Sequence, residues 1–175
     1  MPAKRDLSEY LRRYPHALEG WLLKGNISLQ LNETANAQRA FAQALELNPS
    51  DERALLGLGV VARRNHQYEL AEDYYYRVLK ANPTSYSAKS NLLILEILNG
   101  NLDTAVSLGE DAWRAADKSK PEQLSIGANL AIAYYENGQI EQCRQVMQQL
   151  EALDYRGTKY LHQYLEGEIS LSDIF

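Results

Sequence analysis

The residues that could carry out chemistry are few and do not converge on one site. The single cysteine, Cys143, allows neither an internal disulfide nor a site with several thiolate ligands. It falls in a slot where other parts of the chain carry alanine, which predicts a buried structural thiol. The three histidines lie far apart along the chain and form no metal-binding set: His16, His66 and His162. Because no acid/base pair, phosphate-binding loop or nucleophile motif is present either, we predict no catalytic residue, no metal site, no cofactor and no enzymatic activity.

The net charge and the distribution of apolar residues argue against further classes of protein. The 175 residues carry a formal net charge of −5, and basic residues cluster only weakly, so no nucleic-acid partner is expected. No run approaches the roughly 18 apolar residues of a membrane span, and residues 1–10 lack an apolar stretch of the signal-peptide type. Two compartments stay open: the cytoplasm for the chain as given, and the periplasm if a leader has been removed.

A repeat in the sequence determines the helical framework in which the side chains lie. Pro15, Pro49 and Pro83 stand 34 residues apart, and the residues between them recur in register. This is the period of a helix-turn-helix unit that buries its apolar face only by stacking on its neighbours. Each proline follows the second helix of a unit, and Asp51 and the Thr84–Ser85 pair then offer side-chain oxygens that cap the start of the next helix.

Small and aromatic residues occupy equivalent positions in the first two repeats. The markers of repeat 1 are Trp21, Gly25, Ala37, Phe41, Ala44 and Pro49. The markers of repeat 2 are Leu55, Leu58, Gly59, Ala71, Tyr75 and Pro83. Glycine on the first helix and alanine on the second let the two helices approach closely, and the rings fill the space that remains.

Repeat 3 departs from this pattern, and an inserted loop precedes repeat 4. Leu93 stands in the slot of a small residue, and Gly109 stands where a ring is expected. In the loop, Ser119 with Glu122 three residues on predicts a capping box for the next helix.

We predict one continuous domain built from a half-repeat, four repeats and a terminal cap. Its segments are residues 1–17 (N-terminal half-repeat helix), 18–51 (repeat 1), 52–85 (repeat 2), 86–119 (degenerate repeat 3), 120–156 (repeat 4) and 157–175 (capping helix and apolar tail). Asp6–Tyr14 is interpreted as a second helix whose first helix is absent. It is either a degenerate cap or part of a longer array of repeats.

The markers of the first two repeats are those of the tetratricopeptide repeat family, which the chain resembles from Asp6 to Glu166. The resemblance is specific in repeats 1 and 2 and weaker in repeats 3 and 4. It implies an all-α fold, a right-handed solenoid of antiparallel helix pairs with a concave groove lined by the first helix of each pair. In that family the groove binds segments of partner proteins, so the resemblance implies a scaffold or adaptor.

Helical geometry assigns the residues of the expected groove. If Trp21 and Gly25 face the second helix, then the side chains on the opposite face of each first helix line the groove. The expected partner-binding residues are Leu22, Asn26, Leu29, Leu56, Val60, Arg63, Ile94, Ile97, Ile132 and Tyr135. An apolar centre with polar edges suits an apolar helix or an extended segment.

The residues at the groove positions argue against one subfamily. Members that bind the C-terminal carboxylate of chaperones hold it with converging lysine, asparagine and arginine side chains. The equivalent positions here are Leu22, Asn26, Gly57, Ser87 and Asn91, and only Asn26 conforms. A carboxylate-clamp co-chaperone is therefore not expected.

The groove has a competing interpretation, because apolar residues on a first helix are often covered by another part of the chain. The apolar tail carries Ile169, Leu171, Ile174 and Phe175. This tail could lie in the groove, cross to a second copy of the chain, or fray. Self-association through the half-repeat or the tail is a further expectation.

Two functions remain open from the sequence. The first is a binding module, bacterial in origin, that captures a protein segment for assembly, secretion, or pilus or cytochrome biogenesis. The second is a regulatory or substrate-presenting repeat domain of a larger enzyme such as a transferase.

Overall fold

The computed structural model describes the backbone of residues 2–174 and the side chains of residues 7–174. Within this range the chain is helical, without a strand, as the sequence predicts. The helices are α1 (Pro2–Arg13), α2 (Leu18–Gln30), α3 (Thr34–Leu47), α4 (Glu52–Arg64), α5 (Tyr68–Ala81), α6 (Tyr86–Leu98), α7 (Leu102–Ala115), α8 (Leu124–Glu136), α9 (Ile140–Ala152), α10 (Thr158–Leu165) and α11 (Leu171–Ile174), with a 3₁₀ turn at Pro121–Gln123. The tail residue Phe175 lies outside the described residues.

The chain divides into two compact bodies. The N-terminal body extends to Ala88, and the C-terminal body begins at Lys89. In the N-terminal body, α2 packs against α3, α4 packs against α5, and α3 also packs against α4. In the C-terminal body, α8 packs against both α7 and α9, and α10 lies against α8 and α9.

Each helix pair reverses direction through a short turn that uses one left-handed residue. Three residues separate α2 from α3, α4 from α5, α6 from α7, and α8 from α9. The middle residue of each turn has positive φ: Asn32 (57°), His66 (58°), Gly100 (75°) and Gly138 (72°). Asparagine and glycine adopt this conformation at lower cost than most residues, which explains three of the four identities. His66 serves as the left-handed residue of its turn.

The close approach of helices in the N-terminal body depends on glycines that meet aromatic rings. A Cβ built on Gly25 or on Gly57 would lie 2.5 Å from the ring of Phe41, and one built on Gly59 would lie 2.2 Å from the ring of Tyr75. Both rings are fully buried. The predicted pairing of small residues with rings therefore holds the two pairs of this body together.

Repeat 3 keeps this packing with the two sizes exchanged. Leu93 takes the place of the small residue, and the ring is replaced by Gly109, where an added Cβ would meet Leu130 at 2.8 Å and Leu93 at 3.3 Å. The large side chain is thus on the first helix and the small one on the second. The departures seen in the sequence are complementary substitutions, because a large side chain on one helix meets a glycine on the other.

Two of the three predicted helix caps form. The carboxylate of Asp51 accepts a hydrogen bond from the Ala54 amide at 3.0 Å, and the Ser85 hydroxyl accepts one from the Ala88 amide at 3.3 Å. The predicted capping box at Ser119 was wrong. The backbone amide and the hydroxyl of Ser119 both donate to Asp117 Oδ1, at 3.1 and 2.6 Å, so Ser119 closes a turn around an aspartate instead of starting a helix.

Candidate functional site

The face of α2 and α4 opposite their second helices is the first candidate surface. Across this face both terminal nitrogens of Arg53 donate to the carboxylate of Glu19, at 2.8 and 2.7 Å. These residues are 34 apart, so equivalent positions of repeats 1 and 2 lie side by side on this face. By the same offset Asn26 is the counterpart of Val60, and Leu29 is the counterpart of Arg63.

The expected binding residues of α2 divide into buried and accessible ones. Leu22 is only 2% exposed and packs in a cluster with Phe41 and Leu58, so its assignment to the open surface was wrong. The closely approaching α3 and α4 enclose this position. Asn26 is exposed and Leu29 is half-buried, so both stay accessible from the outside.

The expected residues of α4 are all partly accessible. Leu56 and Val60 are half-buried and lie one helical turn apart. Arg63 is half-buried too, and it hydrogen-bonds to the core residue Tyr75. Burial raises the pKa of Tyr75 to about 12, although the nearby charge and hydrogen bond of Arg63 act in the opposite direction. Arg63 therefore supports the core as well as facing the surface.

Sequence reasoning missed Leu23, which is 51% exposed on α2. It precedes Asn26 by three residues, so the two side chains are neighbours on the helix surface. The signal was available, because the equivalent residue of repeat 2 is Gly57, which is buried against Phe41. Because repeat 2 has a glycine at this position, the packing of the helix pair does not require the leucine found in repeat 1.

Charged groups lie at both ends of this face. At one end, the Glu19–Arg53 pair is largely exposed, and Arg53 also contacts Asp51 at 3.3 Å. At the other end, the guanidinium of Arg64 donates to the backbone carbonyl of Leu29 at 2.8 Å. The accessible apolar side chains thus lie between an ion pair and a cationic end. We call this surface, formed by Leu23, Asn26, Leu29, Leu56 and Val60, the first-helix face.

The corresponding residues of the C-terminal body are largely covered. Ile97 and Ile132 are 4% and 1% exposed, and Ile94 is half-buried. Helix α8 is buried on all sides, since every residue from 126 to 134 is buried. The expectation of an open apolar surface at Ile97 and Ile132 was therefore wrong.

Tyr135 belongs to a contact with the terminal helix. Its ring makes an edge-to-face contact with Tyr164 of α10, with 5.7 Å between ring centroids. Its hydroxyl points to the backbone carbonyl of Leu165 at 3.5 Å, and the Tyr164 hydroxyl donates to the carboxylate of Glu136. Burial, with that hydrogen bond, raises the pKa of Tyr164 above its ordinary value. Helix α10 therefore covers this end of α8.

The single cysteine is a packing residue. Cys143 is 3% exposed, and burial raises the pKa of its thiol above the ordinary value. This agrees with the predicted structural thiol, because a buried neutral thiol reacts slowly. Among the described residues, no group of three histidine, cysteine or acidic side chains is arranged to hold a metal ion.

Comparison with known proteins identifies the family. The tetratricopeptide repeat family model matches residues 22–86 and 63–121, which together cover more than half of the chain. The chain therefore belongs to the tetratricopeptide repeat family. Members of this family are protein-interaction scaffolds and are generally non-catalytic.

The curated relatives are much longer proteins. Human cilia- and flagella-associated protein 70 is 34% identical over 103 residues, which is 58% of this chain and 9% of that protein. The chain spans between 7 and 12% of the length of the curated relatives that it matches.

Solved structures confirm the predicted fold class, an all-α fold of tetratricopeptide helix pairs. The crystal structure of MamA matches with a TM-score of 0.69 and 18% identity, covering 90% of each chain. The structure of PilF from Pseudomonas aeruginosa matches with a TM-score of 0.73 and 21% identity, covering 87% of this chain and 70% of that one. At these identities the similarity shows the fold alone. Within the described residues, no helix combines the length and apolar character that crossing a membrane requires.

Proposed function

We propose that this scaffold binds a segment of another protein, an apolar helix or an extended peptide, on the first-helix face of its N-terminal body. The observation that carries the proposal is the difference in burial between the two bodies. Leu29, Leu56 and Val60 keep part of their apolar surface accessible, whereas in the C-terminal body Ile97 and Ile132 are buried and, of the expected aliphatic residues, only Ile94 is half-buried. These accessible apolar side chains lie grouped between polar ones. Apolar residues of a partner can displace water from such a surface, which favours binding.

The chemistry of the face supports a particular kind of partner segment. Leu23 and Val60 offer apolar contact, and Asn26 lies beside them with an amide that can both donate and accept a hydrogen bond. The cationic end formed by Arg63 and Arg64 favours an acidic residue at one end of the bound segment. The expected segment therefore has apolar residues at helical or alternating spacing and an acidic residue flanking them.

The setting that we propose is assembly or secretion in a bacterium, including pilus or cytochrome biogenesis. A second candidate is a regulatory or substrate-presenting domain of a larger enzyme. It is supported by the small share of the curated relatives that the matching region occupies, because repeats of this kind occur there as parts of long proteins. The length of the protein encoded by the complete gene distinguishes the two candidates.

A displayed library of random peptides tests the binding face directly. Peptides are selected on the wild-type chain and then compared on two variants, Val60→Glu and Leu70→Glu. The control, Leu70, is an exposed leucine on the second helix α5, 41% accessible, so it receives the same change of charge away from the first-helix face.

We expect the selected peptides to lose binding to Val60→Glu and to keep binding to Leu70→Glu. They should share apolar residues at helical or alternating spacing. The proposal is contradicted if the selected peptides bind Val60→Glu as well as they bind the wild type. It is also contradicted if circular dichroism shows that Val60→Glu loses helicity, because Val60 would then belong to the core.

A further inference from the structure

Helices α2 and α3 line a groove of about 450 Å³ that shares no residue with the first-helix face. Within this groove Ala40 is buried, Trp21 and Lys24 are half-buried, and Arg39 is exposed. The groove therefore combines an accessible indole ring with two basic side chains. We call it the repeat-1 groove, and its lining includes Trp21, Lys24, Asn36, Arg39, Ala40 and Gln43.

In repeat 2 an aromatic ring occupies the position equivalent to Ala40. Tyr74 stands 34 residues after Ala40 and packs against the core clusters that contain Leu55 and Leu58. The guanidinium of Arg77 lies 5.5 Å from the centre of the Tyr74 ring, which is a cation–π contact. Repeat 2 thus accommodates an aromatic side chain beside a cation at this position, and the alanine of repeat 1 leaves that ring out.

A second groove lies at the equivalent position of repeat 4. The turn residues His66 and Gly138 show that repeat 4 follows repeat 2 by 72 residues. By this offset Val146 corresponds to Tyr74, and a groove of about 510 Å³ lies beside it, between α7 and α9. A smaller side chain at this position therefore accompanies an open groove in both bodies. The lining of this repeat-4 groove includes Trp113, Leu130, Gln142, Gln145, Val146 and Gln149.

The two grooves differ in charge. The repeat-1 groove is lined by two basic side chains, Lys24 and Arg39, and by no acidic one among the described residues. The repeat-4 groove is lined by one side chain of each sign, Glu110 and Arg114, and it has Gln145 at the position of Arg39. Of the two grooves, the repeat-1 groove is therefore the better site for an anionic group.

The polar side chains of the repeat-1 groove are held in place. Trp21 Nε1 donates to the backbone carbonyl of Pro15 at 2.8 Å, and the ammonium group of Lys24 lies 5.1 Å from the centre of the Trp21 ring. The guanidinium of Arg39 donates to Asn36 Oδ1 at 2.7 Å. This bond uses one of the five N–H groups of a guanidinium, so Arg39 can donate to a bound partner as well.

Within residues 7–174, no carboxylate lies at ion-pair distance from Lys24 or Arg39, in contrast to Arg53, which binds Glu19. Hydrogen bonds from such cations to a carboxylate are stronger than those between neutral groups. A bound segment with acidic residues would supply these acceptors, and the attraction would weaken as salt is added.

We propose that the repeat-1 groove binds a segment of a partner protein that carries an aromatic side chain between acidic residues. The ring would take the place that Tyr74 has in repeat 2, against Trp21 and beside Lys24. The flanking carboxylates would accept hydrogen bonds from Lys24 and Arg39. Because this groove shares no residue with the first-helix face, it is a second attachment point of the scaffold and does not depend on binding at that face.

The two tryptophans of the chain allow a direct test, because Trp21 lines one groove and Trp113 the other. The probe is a blocked peptide, Gly-Asp-Asp-Tyr-Asp-Asp-Gly, titrated into ¹⁵N-labelled protein while the two indole N–H signals are followed by NMR. We expect the Trp21 signal to shift until the site is saturated and the Trp113 signal to stay in place. Replacing the tyrosine of the peptide by alanine, or its aspartates by asparagines, should weaken binding by about tenfold or more.

Two matched variants place the same negative charge in equivalent grooves. Arg39→Glu should weaken binding of the peptide by about tenfold or more, whereas Gln145→Glu in the repeat-4 groove should bind it like the wild type. Circular dichroism verifies that both are folded, and Arg39→Gln replaces Arg39→Glu if the latter loses helicity. Three results would overturn the proposal: no shift of the Trp21 signal, equal shifts of both indole signals, or unchanged binding by the folded Arg39 variant.

Discussion

Arg53 binds Glu19 through both of its terminal guanidinium nitrogens, at 2.8 and 2.7 Å, across a separation of 34 residues. Each residue stands at the second position of its first helix, so the bond joins equivalent sites of successive repeats. In the C-terminal body a side-chain bond also joins neighbouring helix pairs, since the amide of Asn137, in the turn after α8, donates to Asp103 of α7 at 3.1 Å. Unlike the Glu19–Arg53 pair, this bond joins positions that are not equivalent, because a loop is inserted before repeat 4.

The Glu19–Arg53 pair predicts a defined pH dependence. The hydrogen bond from Arg53, together with its charge, holds the pKa of Glu19 below the ordinary value. A carboxyl group whose pKa is lower in the folded state than in the unfolded state stabilises the fold above the unfolded-state pKa. This stabilisation is lost as the pH falls through the folded-state pKa. In Arg53→Met, carbon-detected NMR titration should show the Glu19 pKa rising to its ordinary range.

The effect of this pair on stability is small because both side chains are exposed. Urea unfolding of the wild type and of Arg53→Met should differ slightly at neutral pH, and the difference should vanish in acid. A difference that grows on acidification would contradict the assignment.

Gly59 is predicted to tolerate no large side chain. An added Cβ would lie 2.2 Å from the buried ring of Tyr75, so Gly59→Leu overpacks the contact and should destabilise by about 1–3 kcal/mol. Thermal melting measures the effect. Asp73→Leu, on the exposed side of α5, is the control and should change stability by no more than about 0.5 kcal/mol. Equal melting temperatures for the two variants would show that the helices do not meet at Gly59.

A buried hydrogen bond in the C-terminal body gives a third prediction. The amide of Asn129 donates to the Ser90 hydroxyl at 2.9 Å, and the two residues are 7% and 8% exposed. Ser90→Ala leaves a buried amide group unpaired and should cost about 1–3 kcal/mol. Replacing both partners, in Ser90→Ala with Asn129→Leu, removes the unpaired group.

We therefore expect the double variant to unfold at a higher urea concentration than Ser90→Ala alone. The slopes of the unfolding transitions should stay equal, which shows that both variants bury the same surface. If the double variant is no more stable than the single one, the hydrogen bond is not the source of the cost.

The thiol of Cys143 should be unreactive in the folded protein. Because burial raises its pKa and only 3% of the residue is exposed, labelling with Ellman's reagent at mildly alkaline pH should be slow. Adding denaturant should release the full reaction of one thiol per chain. Fast labelling of the folded protein would show that the thiol is accessible and would contradict the burial of Cys143.

The sequence by itself determined the helix pairs and their close contacts. The spacing of Pro15, Pro49 and Pro83 predicted the period, and the small residues and rings predicted where helices meet, because steric fit within one repeat depends on side chains close in sequence. The same locality explains the caps at Asp51 and Ser85. The prediction from local sequence failed at Ser119, because its hydroxyl donates to the neighbouring Asp117 and does not cap a helix.

Only the tertiary structure decided which residues of the expected binding surface are accessible. Helical geometry places Leu22 and Leu56 at equivalent positions, yet Leu22 is in the core and Leu56 is half-buried. Ile97 and Ile132 are likewise buried, although a helical face alone would leave them open. Burial depends on which distant elements pack nearby, and the exchange of sizes between Leu93 and Gly109 also becomes a fit only when both helices are present. A periodic pattern shows which residues share a face of a helix, whereas contacts between distant elements determine what packs against that face.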